Sequence, residues 1–194
     1  MAKNTTGEGN FHAVKFYESP ESLCQIVAEF LGEGLIERQP ALAIATPEHR
    51  EGILAGLRAR QFDVDSLQAA GDLLLIDVAE LLATFMVDGM PDAARFTSAA
   101  TSAIETVRRG RKDVTIRAYG EMVDVLWKAG QDAAAIRVEL LWNKLATSDD
   151  FDLLCGYSMG AFYKGADLSA MQREHAHVLS PQGVFLPAPR PNLN

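Results

Sequence analysis

Cysteine is scarce in this chain: Cys24 and Cys155 stand far apart, and neither belongs to a Cys-x-x-Cys pair. Cysteines alone therefore build no structural zinc site, and their sparse use suits a reducing compartment. Long apolar runs are missing too. The longest, such as Leu73–Ile76, have strand length and end in charge, whereas a membrane helix needs about 20 apolar residues. The first ten residues, Met1–Asn10, are polar and lack the apolar core of a signal peptide; they are expected to be disordered. Basic residues are outnumbered, 18 Lys and Arg against 26 Asp and Glu, for a net charge of -8. So acidic a surface repels the phosphate backbone, which argues against a direct nucleic-acid partner. Neither a membrane partner nor a leader is expected, and the cytoplasm is the expected location.

What is present is enough for one well-packed domain: 194 residues, 48% of them apolar, with a mean hydropathy of zero. His12–Tyr17 reads as a first strand. Ser19-Pro20-Glu21 opens a helix, with a capping hydroxyl, a proline suited to the first helical position and a carboxylate at the positive end of the dipole. Leu23, Ile26, Val27, Phe30, Leu31 and Leu35 give that helix one buried face. Ala41–Ala45 is an uninterrupted apolar run, expected to be a strand buried on both sides. Thr46-Pro47-Glu48 repeats the cap before a helix to about Arg60. After a connector over 62–71 come a strand at Leu73–Asp77 and two helices, Ala79–Phe85 and Ala93–Arg109, separated by Asp88–Pro91. A strand at Val114–Tyr119, helices through Met122–Lys128 and Ala133–Leu145, and a strand at Phe151–Tyr157 follow. A loop over Gly156–Gly165, a helix near Leu168–His175 and a proline-rich flexible tail over 181–194 complete the reading.

Strands alternating with helices imply an α/β, three-layer fold: a mostly parallel central sheet of about five or more strands with helices on both faces. In such sheets ligands bind beyond the carboxyl ends of the strands. Those ends lead into Glu18-Ser19, Thr46, Asp77, Gly120-Glu121 and Ser158–Gly160.

The first turn, Tyr17-Glu18-Ser19-Pro20-Glu21-Ser22, has no glycine and no lysine. It therefore cannot wrap a phosphate as a P-loop does, and its two carboxylates oppose a triphosphate. The chain also contains no GxGxxG and no GxSxG. Cys155 with one of His12, His49, His175 and His177 would make a Cys–His pair. Its setting in Leu153-Leu154-Cys155 favours a small buried side chain instead. His175 and His177 would hold a metal only with a third ligand from elsewhere, so one exposed and one structural histidine are favoured and no metal is expected.

Arg117-Ala118-Tyr119-Gly120-Glu121 is more informative. It sets a guanidinium, a phenol and a carboxylate along one strand end, with Arg117 and Tyr119 on one face. These groups suit the fixing of an organic ligand by hydrogen bonds, and suit equally a salt bridge where sheet meets helix.

Together these residues resemble the MEDS domain, the sensory domain of methanogen and methylotroph regulators that include the dichloromethane-responsive repressor DcmR. The resemblance rests on His12–Glu18, Arg117–Asp124, Leu141-Trp142-Asn143, Leu154–Tyr157 and His175–Leu179, in that order, and covers about residues 11–180. It implies a degenerate relative of the RecA/KaiC ATPases whose P-loop is lost. It also implies a bacterial signalling module that detects small, hydrocarbon-like compounds, without enzymatic activity and without a cofactor. The expected ligand site gathers Tyr17, Glu18, Ser19, Arg117, Tyr119, Glu121, Cys155, Tyr157 and His177. Arg117 and Glu121 would orient polar atoms, while Tyr17, Tyr157 and Met159 would form an apolar wall. Such modules are often fused to a DNA-binding domain or a histidine kinase, for which this sequence leaves no room after residue 180. It is then an excised or stand-alone domain, or its expected output is a separate kinase or transcription regulator, reached through the 156–165 loop or a homodimer interface. Two other readings stay open: residual nucleotide binding on the RecA-like scaffold, and a pure interaction module.

Overall fold

In a computed structural model, the described residues are 12–147, 149–158, 177–179 and 185–187. The elements run β1 (His12–Tyr17), α1 (Pro20–Ile36), β2 (Ala41–Ala45), α2 (Pro47–Ala59), α3 (Val64–Ala70), β3 (Leu73–Asp77) and α4 (Val78–Phe85). They continue with β4 (Met86–Val87), β5 (Met90–Pro91), α5 (Ala93–Arg108), β6 (Ile116–Gly120), α6 (Met122–Lys128) and α7 (Asp132–Ala146). Last come β7 (Phe151–Ser158), β8 (His177–Leu179) and β9 (Phe185–Pro187).

Seven strands form one sheet in the order β3-β2-β6-β7-β1-β8-β9, parallel throughout except for the antiparallel β8–β9 pair. This is the expected three-layer α/β architecture. Alternation along each strand divides its side chains between two cores. On one side Ala13, Ala41, Ala43, Ala45 and Tyr119 meet the apolar faces of α1 and α2, with Val64 of α3. On the other Val14, Leu42, Ile44, Leu153 and Cys155 meet α4, α5, α6 and α7. There Phe85, Phe96, Trp142 and Phe151 stack edge to face in a chain with centroids 5.2–5.9 Å apart. The alanines of β2 leave α1 and α2 room to pack closely. Gly52 and Gly56 of α2 carry that further, since a Cβ on Gly56 would lie 2.7 Å from Cβ of Ala28.

Both caps read from the sequence form. Ser19 accepts from Ser22 N at 3.2 Å and Thr46 from His49 N at 3.4 Å, each ahead of a first-turn proline. Five local readings change. The connector over 62–71 contains α3, started by the Asp63 cap on Ser66 N at 3.0 Å and stopped by Gly71 in the left-handed region, φ 73°. Asp88-Gly89 is the tight turn of the β4–β5 hairpin, with φ of 49° and 78° that suit a type I′ turn. β6 begins at Ile116, two residues later than expected, and runs through Gly120. β7 runs one residue further than expected, to Ser158, and Phe185–Pro187 is a strand within the stretch read as a tail. The helix expected near Leu168–His175, and Met159, lie outside the described residues. No described helix is long and apolar enough to cross a membrane.

Candidate functional site

The chain leaves β2 toward α2 on one face of the sheet and leaves β6 toward α6 on the other. These strands are neighbours, with Ile44 opposite Gly120, so the chain parts to opposite faces at their carboxyl ends, the topological switch point that in open α/β sheets marks the ligand crevice. Glu121 stands in that crevice. Its N–H donates to the Ile44 carbonyl at 3.2 Å, which fixes the backbone where β6 turns into α6. Its side chain is 1% exposed and bonded on both oxygens. Oε1 accepts the backbone N–H of Thr46; Oε2 receives His49 Nδ1 at 2.5 Å and the Tyr119 hydroxyl at 3.1 Å. Thr46 and His49 form the first turn of the 13-residue α2. A carboxylate thus occupies the helix N-terminus, the position that in other α/β proteins receives a bound anion.

Burial alone would raise the Glu121 carboxyl, but the hydrogen bonds and charge supplied by His49 and the Thr46 donor outweigh it and hold it below its usual range. The bond to Glu121 in turn raises His49, against the opposing effect of burial. The two form a buried ion pair of imidazolium and carboxylate. Burial and the Glu121 charge drive the Tyr119 phenol far up, so it serves as a neutral donor.

A second carboxylate joins the neighbouring strand ends. Asp124, 2% exposed, accepts Ser158 N at the end of β7 at 2.8 Å, and the hydroxyl of Tyr17 at the end of β1 at 2.9 Å. Lys128, one turn along α6, reaches Asp124 at 2.8 Å and the Tyr17 oxygen at 3.0 Å. Tyr17 meets the His49 ring edge-on, centroids 6.0 Å apart, which joins the two halves of the network. Burial and the Asp124 charge push the Tyr17 phenol well above its ordinary value.

The sequence model of the methanogen/methylotroph, DcmR sensory domain (MEDS) matches residues 11–176. The chain belongs to the MEDS family. It carries a sensory domain, and its role is a sensory one. Among solved structures it is similar to a KaiC-like protein of the hyperthermophilic archaeon Pyrococcus horikoshii, with a TM-score of 0.62 at 11% identity. The likeness covers 88% of this chain and 71% of that one, and it shows that the MEDS domain has the KaiC-like RecA fold. No curated protein sequence matches the chain.

Of the residues expected at the site, the MEDS domain brings together Tyr17, Tyr119 and Glu121. Glu18 is exposed beside them and Ser19 is occupied in capping α1. Arg117 is not with them. It lies opposite Ala41, near the amino end of β6, where Nε donates to Gln39 at 2.8 Å and approaches Asp152 at 3.5 Å. Its guanidinium also covers the Phe30 ring at 4.9 Å. It shares a strand face with Tyr119 but makes the salt bridge at the sheet–helix junction. His177 pairs with Ala13 on the β8 side of β1.

Cys155 and Tyr157 face the opposite core, and there they meet a second buried cluster. Nδ1 of His12 donates to Oδ1 of Asn143 at 2.7 Å, while its Nε2 lies 3.3 Å from Cys155 Sγ and 3.8 Å from Oε2 of Glu139. The Tyr157 hydroxyl donates to the other Glu139 oxygen. Burial, with the Glu139 charge beside it, drives the Cys155 thiol well up. His12, Glu139 and Cys155 are the three ligand-type residues whose donor atoms converge among the described residues.

Sequence reasoning marked the strand end at Thr46 but missed His49, Asp124 and Lys128 as parts of the first network, and Glu139 and Asn143 in the second. One signal was available for the latter. Glu139 and Asn143 sit four apart on α7, in phase with Ala135, Val138 and Trp142, so polar side chains interrupt a buried face.

Proposed function

We propose that this MEDS domain senses a small organic molecule, uncharged or cationic, at the carboxyl ends of β1, β2, β6 and β7, and does not transform it. The observation that carries this reading is the Glu121 carboxylate seated on the α2 N-terminus. The α2 N-terminus, whose free N–H groups and dipole would attract an anion, is filled by the protein's own charge, and Asp124 adds a second buried carboxylate beside it. Phosphate brought there would meet like charge in a low-dielectric setting. A neutral or cationic guest meets acceptors and aromatic rings. The hydrocarbon-like compounds implied by the family resemblance belong to the uncharged class.

Relay follows from the same bonds. Tyr17, Thr46, Glu121 and Ser158 lie on four different strand ends, so a guest that takes over one hydrogen bond changes the balance among them. A ligand that favours one arrangement shifts the population toward it. The output is taken up by a separate cytoplasmic kinase or transcription regulator, with a homodimer interface as one route.

Native mass spectrometry of the protein as isolated tests this reading, joined to a thermal-shift screen. The expected result is a carried-over organic mass below that of a nucleotide, and stabilisation by short organics but not by ATP, ADP or cyclic dinucleotides at millimolar concentration. A magnesium-dependent shift with ATP would overturn it in favour of residual nucleotide binding.

A further inference from the structure

The His12 cluster, on the α7 face of the sheet, shares no residue with the network of Glu121 and Asp124, and sensing at the strand ends makes no use of it. We propose that His12, Glu139 and Cys155 bind one divalent transition-metal ion of borderline softness, Zn²⁺ foremost.

The donor set fits that class. One imidazole nitrogen, one thiolate and one carboxylate oxygen are the three ligand types zinc takes, whereas magnesium and calcium favour oxygen alone. With the usual bond lengths to zinc, the edges of a tetrahedral site measure about 3.3–3.7 Å. The edge from His12 Nε2 to Cys155 Sγ is 3.3 Å, that to Glu139 Oε2 is 3.8 Å, and all three atoms lie within 4.8 Å of one another. A small torsion of the Glu139 side chain closes the remaining edge.

Surrounding bonds aim the donors. Asn143 takes the proton on Nδ1 of His12, which leaves the Nε2 lone pair directed at Cys155 and Glu139. Tyr157 holds one oxygen of Glu139 and turns the other toward His12. Outer-shell partners that fix tautomer and carboxylate orientation in this way are a regular companion of metal ligands. Charge is balanced as well: a dication with one thiolate, one carboxylate and a neutral imidazole sums to zero, so the loaded site buries no net charge. When the metal–sulfur bond forms, Cys155 gives its S–H proton to solvent and the sulfur lone pair to the ion. Three protein donors leave a fourth position for a water or another small donor. The ligands come from β1, α7 and β7, so the ion ties a helix to two adjacent strands.

The test uses the full chain, stripped with chelator and titrated with Co²⁺ and then Zn²⁺. The expected result is one Co²⁺ per chain with a thiolate-to-cobalt charge-transfer band, displaced by Zn²⁺. The band is retained in Cys24→Ser and abolished in Cys155→Ser and His12→Gln, whose folding is checked by circular dichroism. Absence of the band in the wild-type protein would overturn the site. So would a band that survives Cys155→Ser or is lost in Cys24→Ser. Because the wild-type spectrum decides alone, a variant that fails to fold does not rescue the proposal. Nucleotide or organic binding at the strand ends is read separately and leaves this result unchanged.

Discussion

Glu121, at the turn from β6 into α6, and His49, in the first turn of α2, form a buried ion pair with 2.5 Å between Oε2 and Nδ1. The two are 72 residues apart and join the strands on either side of the crevice. The same carboxylate satisfies the Thr46 N–H, so one side chain serves as counter-ion, helix-terminal anion and strand clamp.

Breaking that pair on one side should be costly. Glu121→Gln removes the carboxylate that holds the proton on buried His49, and His49→Gln leaves a buried carboxylate without its cation; either loss is worth about 3–5 kcal/mol. The double variant should cost clearly less than the sum, because neither charge is then stranded. Urea unfolding of the four proteins measures this coupling. Additive losses would mean that the pair contributes little as a pair.

The pair also sets a pH window. His49 is raised from its ordinary 6.5, so its contribution is fully present below that pH and fades as pH climbs through the raised value. Glu121 is lowered from 4.5, so its contribution is present above that pH and fades as pH falls through the depressed value. The pair therefore stabilises most between 4.5 and 6.5. Urea midpoints across pH should decline on the alkaline side in the wild-type protein, and that decline should flatten in His49→Gln. An unchanged alkaline decline in the variant would assign it to other groups.

Asp124 and Lys128 are unequal partners. Asp124 is buried and takes charge-assisted bonds from Ser158 N, Tyr17 and Lys128, whereas the Lys128 side chain is 48% exposed. Asp124→Asn should cost about 2 kcal/mol and loosen the β7 end, seen as faster amide exchange at Ser158. Lys128→Met should cost no more than about 1 kcal/mol. Equal losses would place the importance of the cluster in the lysine.

Packing of α1 on α2 offers a test away from the site. An added Cβ at Gly56 would meet Cβ of Ala28 at 2.7 Å, and one at Gly52 would meet Sγ of Cys24 at 2.5 Å. Gly56→Ala should destabilise by about 1–3 kcal/mol, although alanine is the better helix former by about 1 kcal/mol. Ala28→Gly in the same chain should recover part of the loss. A stabilising Gly56→Ala would show that the helices have room to spare.

Much of this was legible in the chain. Apolar runs such as Ala41–Ala45 and the Ser19-Pro20 and Thr46-Pro47 caps mark strands and helix starts through local chemistry alone. Period-two alternation also places Arg117 and Tyr119 on one face of β6. Depth along the strand is a different matter. Each residue adds about 3.3 Å, so Arg117 sits too far from Glu121 to share its crevice and finds Gln39, Asp152 and Phe30 instead. Cys155 illustrates the other limit. Its register opposite Gly120 and Val14 turns it away from Tyr119 and toward His12, 143 residues earlier, and strand order across a parallel sheet is not encoded in any local pattern. The short α3 was hidden because seven residues carry too few turns for a periodicity to show.

We propose that the carboxyl ends of β1, β2, β6 and β7, closed to phosphate by Glu121 and Asp124, receive a small uncharged or cationic organic molecule. Amide chemical-shift mapping tests it most directly, with magnesium-ATP in one titration and a panel of short haloalkanes, alcohols and methylamines in the other. A member of the organic panel should move the amides of Thr46, Glu121 and Ser158 in a saturable way, while magnesium-ATP at millimolar concentration leaves them in place. Saturable movement of those amides with magnesium-ATP, or organic guests that perturb only residues remote from the four strand ends, would contradict it.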